Sequence, residues 1–177
     1  MFKKIGIALA LAVLAIVGFA ALQPADYTIS REITINAPAE KIYPYLNNSK
    51  LAEQWGPWPE VDPNAKMTYS GPDAGPGSKA SWDSSGQLGT GSATISESVP
   101  NQKVVIQLEY SKPMGMTQLS EYLVRSSGNQ SVVTWKVSGK NTLPGRIMCI
   151  FINMDKMVGG MFEKGLSNLK TLVEKQS

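Results

Sequence analysis

The sequence predicts an α+β fold: a curved antiparallel sheet of about seven strands gripping a long C-terminal helix, behind one apolar N-terminal helix. Three observations predict it. Residues 5–22 carry no charged or strongly polar side chain. Seven short segments between positions 27 and 139 follow strand patterns, and turn residues separate the later six. Residues 155–173, DKMVGGMFEKGLSNLKTLV, put Val158, Phe162, Gly165, Leu169 and Leu172 on one helical face, while Lys156, Glu163, Lys164 and Lys170 mostly fall elsewhere.

The first element is the run that opens at Ile5 and closes at Leu22. At about 1.5 Å per residue it reaches about 27 Å, enough to cross the apolar core of a bilayer. Lys3 and Lys4 precede it, as they would in either a cleaved signal peptide or a retained anchor. The small-residue sites at its end, Gly18-Phe19-Ala20 and Phe19-Ala20-Ala21, suit cleavage imperfectly, so the expectation is a retained single-pass span in the cytoplasmic membrane. The positive end then stays inside and the domain from residue 23 faces the outer, periplasmic side. Cleavage and release of that domain is the alternative.

Past the span, Tyr27, Ile29, Ile33 and Ile35 alternate with polar residues, the period of a half-buried first strand. Pro38 and Glu40 start a helix over residues 39–46, and Ser49 precedes a second over 50–55 that Gly56-Pro57 ends. Strands follow at 66–70, 78–84, 91–99, 103–110, 118–125 and 131–139, divided by Gly-, Pro- and Asn-rich turns. Short connections between successive strands make an antiparallel meander, and a curved sheet leaves a concavity for the terminal helix to cross. Side chains or a ligand then fill the space between them.

Composition removes several functions. The chain has 177 residues, 42% apolar and 18% charged, with no histidine and one cysteine, Cys149. Ser-His-Asp and Cys-His catalysis, His/Cys metal clusters and an intrachain disulfide are therefore excluded. Of 17 basic residues two are Lys3 and Lys4, which leaves 15 against 14 acidic ones in the rest of the chain. The basic residues are scattered, so no nucleic-acid partner is expected. No metal or cofactor is expected either. Residues 86–91, GQLGTG, are glycine-rich but precede no helix and lack a Gly-Lys-Ser/Thr ending, so they read as a hairpin rather than a phosphate loop.

The segment ISREITINAPAEKIYPYL (29–46), the text GSKASWD (77–83) and the closing DKMVGGMFEKGLSNLK (155–170) resemble the START-like, helix-grip superfamily, in its polyketide cyclase/dehydrase and lipid-transport branch. The likeness extends over residues 26–175 and is similar to a bacterial membrane-anchored subgroup of uncharacterised function. It implies a cavity between the terminal helix and the sheet for a lipid or other small hydrophobic molecule. No catalytic motif can be matched, so no catalytic residue is carried over.

Candidate ligand contacts follow from that cavity. Trp55 and Trp58 sit in a proline-braced loop that either closes a mouth or anchors itself to the core. Trp82, Tyr110, Tyr122 and Trp135 lie on separate strands, as concave lining or as core. Met114 and Met116 form a turn, and Met154, Met157 and Met161 flank the Gly159-Gly160 pair, where flexible thioethers suit variable apolar partners. Arg31, Glu109, Glu121 and Arg125 are charges within strand patterns. The rival to a binding module is a cyclase/dehydrase-type enzyme in which Glu109 or Glu121 acts inside the cavity on an apolar carbonyl compound. A third reading is an interaction module with a vestigial cavity.

Overall fold

The computed structural model describes residues 2–112 and 115–175. An apolar helix α1 (Phe2–Leu22) leads into strand β1 (Asp26–Ile35), then α2 (Ala39–Leu46), a 3-10 turn (Leu51–Gln54) and the short α3 (Trp58–Val61). Six strands follow: β2 (Lys66–Ser70), β3 (Lys79–Asp83), β4 (Thr90–Val99), β5 (Lys103–Lys112), β6 (Met116–Ser127) and β7 (Gln130–Lys140). Helices α4 (Leu143–Phe151) and α5 (Met154–Glu174) close the chain. The fold class is the one the sequence predicts.

One antiparallel sheet holds all seven strands in the order β1-β7-β6-β5-β4-β3-β2. The first strand therefore returns to pair with the last, while the other six form a simple meander. Side chains two apart share a face, so the pairings define concave rows: Arg31-Trp135-Tyr122-Val104, then Ile29-Val137-Ser120-Ile106, then Tyr27-Gly139-Gln118-Leu108, then Met116-Tyr110-Gly91-Trp82-Met67. Helix α5 lies along β1 on this face. Lys170 donates to the Thr34 carbonyl and Glu174 accepts from the Asn36 amide, so helix and strand advance in the same direction.

The main core fills the end of the sheet where β1 stops. Ile35, Val104, Val133, Leu166, Leu169 and Val173 are buried there beside Ile42 and Leu46 of α2. Asn101 takes a positive φ of 62° in the β4–β5 turn, a conformation that asparagine tolerates better than most residues. Gly71, at φ 80°, would place a Cβ 2.2 Å from the Gly77 carbonyl oxygen, so only glycine fits that turn.

Three helical elements differ from the sequence expectation. Position 50 lies outside the second helix, which is a 3-10 turn, and α3 follows it directly. More consequentially, α4 occupies residues the sequence analysis left without an element. Its start carries a readable signal: Thr142 caps the helix by accepting from the Gly145 amide, with Pro144 in the first turn. Helix α5 likewise begins at an Asn153 cap, whose side chain accepts from the Lys156 amide. Helix α1 is long and apolar enough to cross a membrane, and nearly all of it stands free of the sheet.

Candidate functional site

Two glycines let α5 approach the sheet. A Cβ on Gly159 would fall 2.1 Å from Nη2 of Arg31, and one on Gly165 would fall 2.8 Å from Cζ3 of Trp135. Beneath Gly159 the Arg31 guanidinium runs its fork into the helix. Its Nη2 meets Asp155 Oδ2 at 2.9 Å and the Asp155 carbonyl at 3.0 Å, and Nε meets Glu163 Oε1 at 2.6 Å. Arg31, a charge within the first strand's pattern, thus lies on the concave face and clamps the helix. The guanidinium holds the Asp155 carboxyl below the usual carboxylate range, chiefly through their hydrogen bond.

Beside this clamp the middle of the grip is packed with rings. Trp135 stacks on Phe162 with centroids 4.2 Å apart, and both Trp55 and Tyr122 meet Trp135 at about 5.5 Å in edge-on or tilted geometry. Trp55, Tyr122, Trp135 and Phe162 are all buried. Their polar atoms are satisfied inside: Trp55 Nε1 donates to the Tyr45 carbonyl and Trp135 Nε1 to Ser120 Oγ. Burial pushes the Tyr122 phenol above its ordinary range. Trp58 is half-buried and presents an edge to Trp135 at 6.1 Å.

The other end of the concave face is different. Trp82 and Tyr110 meet edge to face at 5.5 Å and are only half-buried, while Met116 is 38% exposed. Trp82 lies over Gly91, where a Cβ would sit 2.5 Å from its ring. Burial pushes the Tyr110 phenol up to about 12. One row further in, Tyr27 reaches across Gly139 to accept a hydrogen bond from Gln118. Met154 and Met161 on α5 are half-buried and Met157 is exposed. Met114 lies outside the described residues.

Surface depressions of about 510 and 140 Å³ are both open to solvent. The larger touches Tyr27, Gln118 and Gly139 but takes most of its lining from the outer face of the sheet, including Thr28, Gln107, Leu119 and Ser138. No residue of α5 lines either one. The expected space between helix and sheet is filled at its centre by the packed rings of Trp55, Tyr122, Trp135 and Phe162.

The two glutamates proposed as acids both point outward. Glu121 forms an ion pair with its cross-strand neighbour Lys136, and Glu109 accepts from Gln107 on the same convex face. Among the described sheet residues no carboxylate lies on the concave side. The glycine-rich hairpin does cradle an anion, but an internal one. Asp62, 8% exposed, accepts from Ser84 Oγ at 2.5 Å and from the Leu88 amide at 3.5 Å, and a Cβ on Gly86 would meet its Oδ2 at 2.3 Å. These hydrogen bonds, the serine's foremost, lower its pKa. Sequence reasoning missed Asp62 because its partners lie more than twenty residues away. Among the described residues no group of three or more His, Cys, Asp or Glu is placed to hold a metal ion.

A curved seven-stranded sheet closed by a long C-terminal helix, with short helices after β1, defines a START-like, helix-grip protein. The chain belongs to the polyketide cyclase / dehydrase and lipid transport family, whose profile matches residues 26–174. Solved structures agree on the fold. A norcoclaurine synthase from Thalictrum flavum, in complex with dopamine and hydroxybenzaldehyde, is 14% identical, with 86% of this chain and 88% of that one covered and a TM-score of 0.63. A structural-genomics protein from Chromobacterium violaceum is 18% identical over 83% of this chain and 96% of that one, with a TM-score of 0.61. The Aha1 dimer from Colwellia psychrerythraea is 20% identical over 81% and 96%, with a TM-score of 0.55. No curated protein matches the sequence.

Proposed function

We propose that this protein is a membrane-anchored binding module for a lipid or other small apolar molecule. In this reading residues 1–22 form a retained anchor and residues 23–177 the helix-grip domain, with Lys3 and Lys4 holding the N-terminus inside and the domain on the outer side. The observation that carries it is the unequal filling of the concave face. Trp55, Tyr122, Trp135 and Phe162 form a closed floor, whereas Trp82, Tyr110 and Met116 remain partly uncovered at the end of the sheet where α1 departs. Rings and a thioether offer apolar area, and the Tyr27–Gln118 pair offers one place for a polar headgroup to bond. Holding such a seat beside a bilayer raises the local concentration of apolar ligand.

Membership of a family that includes lipid transport supports the same reading. The enzymatic alternative loses its two acids, since Glu109 and Glu121 face away from the groove. The test is native mass spectrometry of the full chain released from detergent micelles after extraction from host membranes. An apolar adduct is expected, lost on Trp82→Ala and Tyr110→Ala. An adduct-free mass, or an adduct that survives both substitutions, would overturn the assignment of this seat.

A further inference from the structure

We infer that α4 is an interfacial helix whose apolar edge dips into the bilayer beside the point where α1 leaves it. The inference rests on α1 being a membrane span, as proposed above. Position is the first argument. Arg146 Nη1 donates to the carbonyls of Ala21 and Gln23 at 3.1 and 3.0 Å, and the Asn141 amide donates to the Ala25 carbonyl at 2.8 Å. These bonds tie α4 and the β7–α4 connection to the end of α1 and to the short link that follows it. A span of 21 residues is about 32 Å long, close to the thickness of the hydrocarbon core, so its final turn reaches the headgroup boundary and α4 with it.

Composition is the second argument. From residue 143 to 152 the only charge is Arg146, whose Nη1 is already engaged on the Ala21 and Gln23 carbonyls. Phe151 is nevertheless 71% exposed, with Met148, Ile152 and Met157 each at 40% or more. Such exposure in water is costly, and exposed apolar side chains gathered within ten residues mark a surface that something covers. Lys156, exposed just beyond the segment, suits the anionic headgroup layer.

The third argument is confinement. Outside α1, every exposed large apolar side chain among the described residues lies on α4, at Ile152 just after it, at the start of α5, or at Met116 and Leu119 near the start of β6. Met116 shares a row with Tyr110 and Trp82, and β7 runs on towards α4 at this same end of the sheet, where the grip is open. An apolar ligand would then pass from bilayer to groove without crossing water.

The experiment uses the full chain in phosphatidylcholine/phosphatidylglycerol vesicles, in a Cys149→Ser background with single cysteines introduced by Phe151→Cys, Met148→Cys, Val13→Cys or Ser167→Cys. Each carries an environment-sensitive nitrobenzoxadiazole label, and emission is read with doxyl-labelled lipid and then with aqueous iodide. Loss of emission to doxyl lipid is expected at 13, 148 and 151, and to iodide at 167. Quenching by lipid at 13 but at neither 148 nor 151 would overturn the interfacial helix while leaving the anchor standing. Labels at 148 and 151 shielded from both quenchers would also overturn it, by pointing to a protein partner. No lipid quenching at 13 would remove the anchor and this inference together.

Discussion

Helix α5 supplies a sharp test of its own seating. Gly160 and Gly165 lie on one helix, five residues apart, yet a Cβ meets nothing within 4 Å at the first and Trp135 Cζ3 at 2.8 Å and Pro57 Cδ at 3.2 Å at the second. Replacing either with alanine raises helix propensity by about 1 kcal/mol. At Gly160 that gain stands alone. At Gly165 it is opposed by overpacking, which costs about 1–3 kcal/mol in a close-packed core. The upper part of that range applies, because Trp135 is held between Phe162 at 4.2 Å and Trp55 at 5.5 Å and has no room to retreat. The net for Gly165→Ala is then a loss of about 2 kcal/mol.

For a chain of this size 1 kcal/mol moves Tm by roughly 2–4 °C, so Gly160→Ala should rise by about that amount and Gly165→Ala should fall by about 4–8 °C. The assay is thermal unfolding of the full chain in detergent, followed by near-ultraviolet circular dichroism, which reports the tryptophan cluster. Because the two variants share the same propensity gain, their difference isolates the contact. If both rise equally, α5 does not rest on Trp135 and the filled floor of the grip is wrong.

Two further outcomes follow from the core. Trp135→Ala should cost about 3–5 kcal/mol of stability, whereas Trp82→Ala, at the open end, should cost distinctly less, as read by chemical denaturation. Equal losses would contradict the division of the concave face into filled and open parts. Asp62 titrates lower in the folded than in the unfolded chain, so its contribution is present above the unfolded value of about 3.9 and is lost as pH falls through the lowered folded value. Asp62→Asn should therefore flatten the acid limb of a Tm-against-pH profile below about pH 5; an unchanged slope would mean that the hairpin cradle does not hold a charged carboxylate.

How much of this was legible in the sequence depends on the range of each interaction. The strands of the meander stood out because alternation with period two is a local signal, and the turns between them carry Gly, Pro and Asn for local backbone reasons. Helix α5 was legible from its periodic face. Helix α4 was not, because nine residues with a single charge show no polar stripe, and only the Thr142 cap and Pro144 marked its start. The phase of Arg31 was also readable, but its partners Asp155 and Glu163 lie more than a hundred residues away.

The same distinction runs through the candidate site. Sequence pattern alone determined the α+β class, the antiparallel meander, the terminal helix and the apolar lead segment, since each follows from neighbours in the chain. It also brought forward the aromatic residues without separating floor from mouth. Only the tertiary structure decided that Trp55, Tyr122 and Trp135 close the centre, that Trp82, Tyr110 and Met116 stay partly open, and that Glu109 and Glu121 turn outward. The physical reason is register. A one-residue shift reverses which face a strand residue occupies, and how closely a helix approaches that face depends on contacts such as those of Gly159 and Gly165, which only the folded chain brings together.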